Sequence, residues 1–295
     1  MPKAKTASSI RKLRANDFDL AVTLESGQVF GWKKDRKWYS GEIYGKPVLI
    51  AQEGGHLIYT SIGKKLNEAE IRRYFSLDLN PKTIYLKVST DRLMKKAVNE
   101  FRGLRLIRQD PWHCLVSFVC SSFSNIPKIE KNIESIKKEH GKKTGGIFLF
   151  PTIKELKSTD MDKLRRCGLG FRDKYVHKIA DTISEKKIRE IQKMEYAEAK
   201  KKLMEFPGIG EKVADCILLF SLGKGEAFPI DVWISRIMHA YYAKEMKRMF
   251  KTRKEKFSYS QIQEFARKRW GIHAGYAQQF LYMYARKHRI KQKIR

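Results

Sequence analysis

The chain has 295 residues and carries 62 lysines and arginines against 32 aspartates and glutamates, a formal net charge of +30. That length provides core for one large or two ordinary domains, and the excess of positive charge points to a polyanionic partner, since a lysine-rich thermophile composition would raise glutamate in step. No window approaches the ~18 apolar residues of a membrane span, and Met1 to Arg14 is basic without an apolar run of signal-peptide length, so the protein is expected to be intracellular with no membrane partner.

In chain order, residues 15–87 read as strands at 20–24, 28–32, 37–43, 47–51 and 56–60, separated by turn pairs such as Ser26-Gly27 and Gly54-Gly55. A short helix near 68–75 and a break at Asn80-Pro81 follow. From about residue 90 the apolar period becomes helical. Helices are expected from Asp91, across the nearly all-apolar stretch Cys114 to Cys120, and at the C-terminus over 276–293, where the last turns form a basic tail. The expected fold is therefore α+β, an N-terminal antiparallel β-sheet domain over 1–90 and an all-helical domain over 91–295, packed together because no low-complexity linker separates them. Cys114, Cys120, Cys167 and Cys216 lie too far apart for a CxxC pair or an iron–sulfur cluster. They are expected to be reduced core residues, with no metal site and no cofactor.

The segment Phe206-Pro207-Gly208-Ile209-Gly210-Glu211-Lys212-Val213-Ala214-Asp215 carries the chemistry. A Pro-Gly-x-Gly turn reverses the chain between two helices because glycine tolerates the positive φ angles required, and its amides can face a phosphate where the second helix begins. Gly208, Gly210 and Val213 are thus expected at a nucleic-acid backbone, and Lys212 lies on the first helical turn. Nineteen residues later stands Asp231, in Phe228-Pro229-Ile230-Asp231-Val232, at an expected helix start where it would also serve as N-cap. An amine and a fixed carboxylate meet the needs of displacing a base at a sugar carbon through an oxocarbenium-like state. A lysine at its reference pKa of ~10.4 is almost wholly ammonium at neutral pH, whereas the displacement uses the free amine.

With these residues placed, the chain resembles the 8-oxoguanine DNA glycosylase/AP lyase family of the helix-hairpin-helix superfamily. The likeness runs over nearly the whole length and includes Ser26-Gly27-Gln28-Val29-Phe30-Gly31-Trp32, Arg105-Leu106-Ile107-Arg108-Gln109-Asp110-Pro111, Cys120-Ser121-Ser122, Gly168-Leu169-Gly170-Phe171-Arg172 and Trp270-Gly271-Ile272-His273-Ala274-Gly275-Tyr276-Ala277-Gln278. The resemblance implies a monomeric enzyme acting on duplex DNA that contains 8-oxoguanine, DNA-associated in the cell and needing no redox cofactor. It makes Lys212 the nucleophile that forms a Schiff base and cuts by β-elimination, and Asp231 the group that stabilises the sugar cation. It places the Gly27 carbonyl at the N7 hydrogen that distinguishes 8-oxoguanine from guanine, Gln278 at the Watson–Crick edge, and Cys216 with Tyr282 on the two faces of the base. It puts Phe123, Asn125, Lys128 and Arg172 against DNA, with Arg172 reading the cytosine left unpaired on the other strand.

The chain departs from the family at several of these positions. Phe123 stands where the family has an asparagine that fills the hole left by the extruded nucleotide. Lys128 replaces an arginine and lacks its planar fork, and Trp233 replaces a histidine that touches phosphate. A weaker preference for cytosine opposite the lesion is the expected result. For Phe123 the alternative is an ordinary buried helix residue beside the apolar run. Three other functions compete. A monofunctional alkylated-base glycosylase keeps the aspartate but lacks the lysine. Adenine- or pyrimidine-specific relatives carry an iron–sulfur cluster. A DNA-binding module would use the hairpin for grip alone and leave Gly27, Gln278 and Asp231 without a task.

Overall fold

The computed structural model describes residues 9–291. Five strands, β1 (Arg11–Arg14), β2 (Lys33–Asp35), β3 (Trp38–Ile43), β4 (Lys46–Glu53) and β5 (His56–Ser61), form one antiparallel sheet in the order β1-β5-β4-β3-β2. Two of its three hairpins close on glycine-containing two-residue turns, Tyr44-Gly45 at φ 50° and 70° and Gly54-Gly55 at φ 51° and 75°. Positive φ at both central positions matches the right-handed twist of the flanking strands, which is why glycine stands in each pair. Val48, Ile50, Leu57, Tyr59 and Ile43 bury one side of the sheet against Ile71, Tyr74 and Phe75 of helix α2 (Glu68–Tyr74) and its end.

Four parts of the sequence reading need correction here. Residues 20–24 form a short helix, α1 (Leu20–Leu24), and not a strand. The carboxylate of Asp19 accepts from the Val22 amide at 2.8 Å, the Asp19 amide donates to the Gly103 carbonyl at 3.0 Å, and tertiary anchoring outweighs the β-branched pair Val22-Thr23. Residues 28–32 pair with no strand either, because their place beside residues 105–109 is held by side chains. Gln28 is fully buried, donates to the Arg105 carbonyl at 2.8 Å and accepts from the Ile107 amide at 2.7 Å, while Gln109 donates to the Gln28 carbonyl at 2.6 Å. The Asn80-Pro81 break is instead the start of helix α3 (Pro81–Val88), with Asn80 as N-cap and proline at the first position, where a missing amide hydrogen is harmless. Strand β1, within the basic N-terminal stretch, was hidden in the sequence because only Leu13 of its four residues is buried.

The helical body continues with α4 (Arg92–Glu100), α5 (Pro111–Val119) and α6 (Ile126–His140), a small hairpin of β6 (Lys143–Thr144) and β7 (Ile147–Phe148), then α7 (Ile153–Lys157), α8 (Met161–Arg166), α9 (Asp173–Thr182), α10 (Glu185–Lys193), α11 (Tyr196–Met204), α12 (Glu211–Phe220), α13 (Val232–Met249), α14 (Tyr259–Trp270) and α15 (Ala274–Lys287). Helix α5 is buried along its whole length after Pro111 and sits at the centre of a second apolar core, separate from that of the sheet. All four cysteines are buried thiols. Helix α15 ends at Lys287, six residues short of the expected 293, and the last residues of the basic tail lie outside the described part. Among the described residues no helix is long and apolar enough to cross a membrane.

Gln28 joins the loop before β2 to the segment that leads into α5, so its loss leaves a buried amide and carbonyl unpaired. Gln28→Ala is predicted to lower the free energy of unfolding by about 2–4 kcal/mol, each orphaned group costing about 1–3 kcal/mol. Urea denaturation measures it, and a loss below about 1 kcal/mol would show that the bonds formed by Gln28 are replaceable.

Candidate active site

Helices α11 and α12 are joined by a turn over residues 205–210, in which Gly208 adopts φ 79°. A Cβ there would stand 2.5 Å from the ring of Tyr175, so both the backbone angle and the space require glycine. Gly210 is the N-cap of α12 and offers no side chain, which leaves the amides of the first turn without a side-chain acceptor. These amides and the positive end of the helix dipole suit an anion.

Lys212 extends from this first turn over the ring of Phe118, at 5.3 Å from its centroid, and donates to Ser121 Oγ at 3.0 Å. Asp231 caps α13, its Oδ1 accepting from the Ile234 amide at 2.8 Å. Burial raises the pKa of the Asp231 carboxyl above the ordinary aspartate range, and the Ile234 amide and the charge of Lys212 only partly oppose the rise. The lysine and the aspartate therefore sense one another across a shared space.

That space is a cleft of about 1250 Å³. Its lining brings together Gly27, Phe123, Asn125, Gly208, Gly210, Lys212, Val213, Cys216, Asp231, Gln278 and Tyr282. Cys216 lies one turn along α12 from Lys212, and burial pushes its thiol up to about 12, so it presents a neutral, polarisable face. Tyr282, its hydroxyl likewise pushed up to about 12 by burial, comes from α15. Gln278 is buried, donates from Nε2 to the Pro229 carbonyl at 3.0 Å and leaves Oε1 without a partner. A buried acceptor in that condition is satisfied only by an incoming donor. Gly27 adopts φ 77°, and a Cβ on it would come within 3.1 Å of Ile126 and 3.2 Å of the Tyr282 hydroxyl. Any side chain at residue 27 would crowd the cleft.

Two of the expected DNA contacts stand apart from this lining. Lys128 is exposed on α6. Arg172 is buried, 3% exposed, and its guanidinium donates to the backbone carbonyls of Leu169, Cys120 and Ser122. Phe123 is 96% exposed at φ 50°, which excludes the alternative of a buried helix residue. Asn125 caps α6 through the Lys128 amide at 3.0 Å. Trp233 lies on the cleft wall with the Arg236 guanidinium stacked on it at 5.1 Å.

The sequence reading missed three supports. Gln279, next to Gln278 on α15, donates to the Ser26 carbonyl at 2.9 Å and so fixes the loop that carries Gly27. Ser121 receives the Lys212 amine. Asp215, fully buried three residues after Lys212, accepts from Tyr196 at 2.5 Å, Tyr259 at 2.6 Å and Gln263 at 2.6 Å. The only sequence signal for Gln279 was its pairing with Gln278, and the partners of Asp215 are too distant in sequence to leave one.

Comparison with known proteins places this geometry. A family model described as 8-oxoguanine DNA glycosylase, N-terminal domain, matches residues 10–115, and one described as HhH-GPD superfamily base excision DNA repair protein matches residues 116–260. A solved structure of MBOgg1 in complex with a low-affinity DNA ligand is 32% identical, covers 95% of this chain and 96% of its own, and superposes with a TM-score of 0.84. The chain belongs to the 8-oxoguanine DNA glycosylase family. The 8-oxoguanine glycosylase/lyase of Clostridium acetobutylicum, solved with double-stranded DNA carrying cytosine opposite 8-oxoG, is 30% identical over 96% of this chain and 99% of its own, with a TM-score of 0.82. A probable N-glycosylase/DNA lyase of Methanothermobacter thermautotrophicus is 29% identical over 96% of this chain and 98% of its own length. Within this family chain, Gly27 falls in the part matched by the N-terminal model and Lys212 and Asp231 in the part matched by the second. Gln278 and Tyr282 lie beyond both models, within the span shared with the full-length relatives.

The raised pKa of Asp231 has a definite sign. The folded protein holds the proton to higher pH than the unfolded chain does, so the ionised carboxylate subtracts stability once pH exceeds the ordinary aspartate value of ~3.9. Asp231→Asn, which still caps α13, is predicted to leave the melting temperature at pH 7 unchanged or higher while single-turnover base release falls by about 10²-fold or more. In the wild type the acid limb of the rate profile should lie above pH ~3.9. A limb at or below that value, or an active asparagine variant, contradicts a charged role for Asp231.

Proposed function

We propose that this chain is a bifunctional DNA glycosylase/AP lyase that excises 8-oxoguanine from duplex DNA in base excision repair. One observation carries the reading: a lysine and a half-buried carboxylate face the same cleft as a glycine carbonyl loop and an unsatisfied glutamine oxygen. In this reading the amides at Gly210 to Val213 grip a phosphate, and Phe123 enters the helix in place of the extruded nucleotide, which swings into the cleft. Cys216 and Tyr282 bracket the base, and Gln278 Oε1 accepts from its Watson–Crick edge. The Gly27 carbonyl accepts the N7 hydrogen that guanine lacks. Discrimination follows because guanine would leave a buried acceptor facing a lone pair.

The chemistry then runs through Lys212 and Asp231. As Lys212 Nζ forms its bond to C1′, the C1′–N9 bond breaks and its electron pair leaves with the base. The carboxylate of Asp231 stabilises the positive charge on the sugar. Nζ then gives up one proton as the C1′–O4′ bond opens, O4′ receives it, and an iminium remains between lysine and C1′. That iminium acidifies the C2′ hydrogen; loss of this proton to water gives the C1′–C2′ enamine, whose electron pair expels the 3′ phosphate and cuts the strand. We further take the protein to act as a monomer, with its sheet and helical domains divided near residue 90.

A duplex with a single 8-oxoguanine tests the reading against an undamaged control. Free 8-oxoguanine and a 3′ cut are predicted from the lesion duplex only, with no more than a weak preference for cytosine opposite the lesion. Base release without a cut would favour a monofunctional glycosylase, binding with neither would favour a DNA-binding module, and a strong preference for cytosine would contradict the expected tolerance.

A further inference from the structure

The last turns of α13 and the loop after it, residues 244–256, hold seven lysines and arginines against two acids. Both acids are already engaged: Glu245 accepts from Arg269 of α14 at 2.5 Å, and Glu255 pairs with Lys247. Lys244, Arg248, Lys251, Arg253, Lys254 and Lys256 are exposed, and no carboxylate among the described residues forms an ion pair with any of them. The C-terminal end of a helix carries only about half a negative charge, which Lys247 and Arg248 in the last turn already meet. The remaining cations need another explanation. The loop that carries them is also held in place. Phe257 is buried, its amide donates to His239 Nε2 at 3.1 Å, and its ring meets those of His239 at 5.8 Å and Phe250 at 6.3 Å. The chain is thereby folded back along α13 and presents its cations as a fixed surface.

This surface stands away from the cleft. Asp231 lines the cleft and caps the N-terminus of α13, which runs 18 residues from there, so at 1.5 Å per residue its last turn lies about 27 Å along the axis. None of the six cations lines the cleft. With charges screened over about 8 Å at physiological salt, they exert little pull on whatever the cleft holds. We infer that residues 244–256 form a second nucleic-acid surface, which holds one segment of undamaged duplex DNA while the cleft holds another. A duplex fits because it offers one negative charge per about 1.7 Å of axis along a stiff rod, whereas a lone anion would meet only one or two of the six cations. Two sites this far apart let the protein pass from one segment of DNA to the next without an unbound interval. The inference goes beyond the glycosylase/lyase reading and takes from it only that the cleft receives DNA.

Native mass spectrometry with a short undamaged duplex tests it. The wild-type chain is predicted to carry two duplexes, and a triple variant with Lys251→Gln, Arg253→Gln and Lys254→Gln only one. A matched triple, Lys12→Gln, Lys64→Gln and Lys65→Gln, removes the same charge from exposed positions of the sheet domain and should keep both duplexes. At about 0.9 per phosphate contact, the loop triple should take about 3 from the slope of log affinity for the second duplex against log salt. In stopped-flow displacement, a labelled duplex should leave the wild type at a rate that rises with the concentration of unlabelled duplex, and leave the loop triple at a constant rate. One duplex per wild-type chain, equal losses in the two triples, or a displacement rate that ignores competitor would overturn the inference. So would a second site that takes polyglutamate in preference to DNA, since that would make the surface a dock for an acidic protein. None of these readouts requires base release, so inactivity on 8-oxoguanine duplexes would refute the proposed function and not this surface.

Discussion

The structure depends first on a single buried carboxylate. Asp215 lies on α12 and takes hydrogen bonds from Tyr196, Tyr259 and Gln263, with the Lys200 ammonium at 3.1 Å. Tyr259 also accepts from the Ile230 amide at 3.2 Å, and Gln263 also donates to the Phe228 carbonyl at 3.3 Å. The strap of residues 228–230, which delivers Asp231, therefore hangs from the same helix that presents Lys212. A buried charge of this kind is tolerable only when each lone pair finds a donor, and a network so satisfied admits one geometry. Lys212 and Asp231 are nineteen residues apart in the chain but hang from one shared anchor in space.

The cleft is assembled from both ends of the molecule in a similar way. Gln28 ties the Gly27 loop to the segment before α5, and Gln279 ties it to α15. Gln278 contacts the Pro229 carbonyl and so links α15 to the Asp231 strap. Glutamines serve well here because each amide both donates and accepts, and three of them join loops that share no ladder hydrogen bonds. The positive charge spread over the rest of the chain supplies attraction to DNA without precision, which these buried amides provide.

Much of this was legible in the sequence for local reasons. The Pro-Gly-x-Gly hairpin, the cap at Asp231 and the I′ turns of the sheet are set by glycine, proline and aspartate acting within four residues. The misread strands at 20–24 and 28–32 have β-branched or aromatic residues, and only the distant partners Gly103, Arg105 and Ile107 decide against a sheet. Phe123 could not be assigned to surface or core from its apolar neighbours, because the left-handed turn that exposes it is held by Arg172, forty-nine residues away. The resemblance to a known family carried a base-reading role to that arginine. Its bonds to three backbone carbonyls use only Nε and Nη1.

The measurement closest to the central claim is borohydride reduction of the protein on a duplex with a single 8-oxoguanine, followed by mapping of the crosslinked peptide. A Schiff base reduces to a permanent bond between amine and sugar, so the account predicts a lesion-dependent adduct on Lys212 that disappears in Lys212→Gln. An adduct on another lysine, one that persists in the variant, or base release with no adduct at all would contradict it.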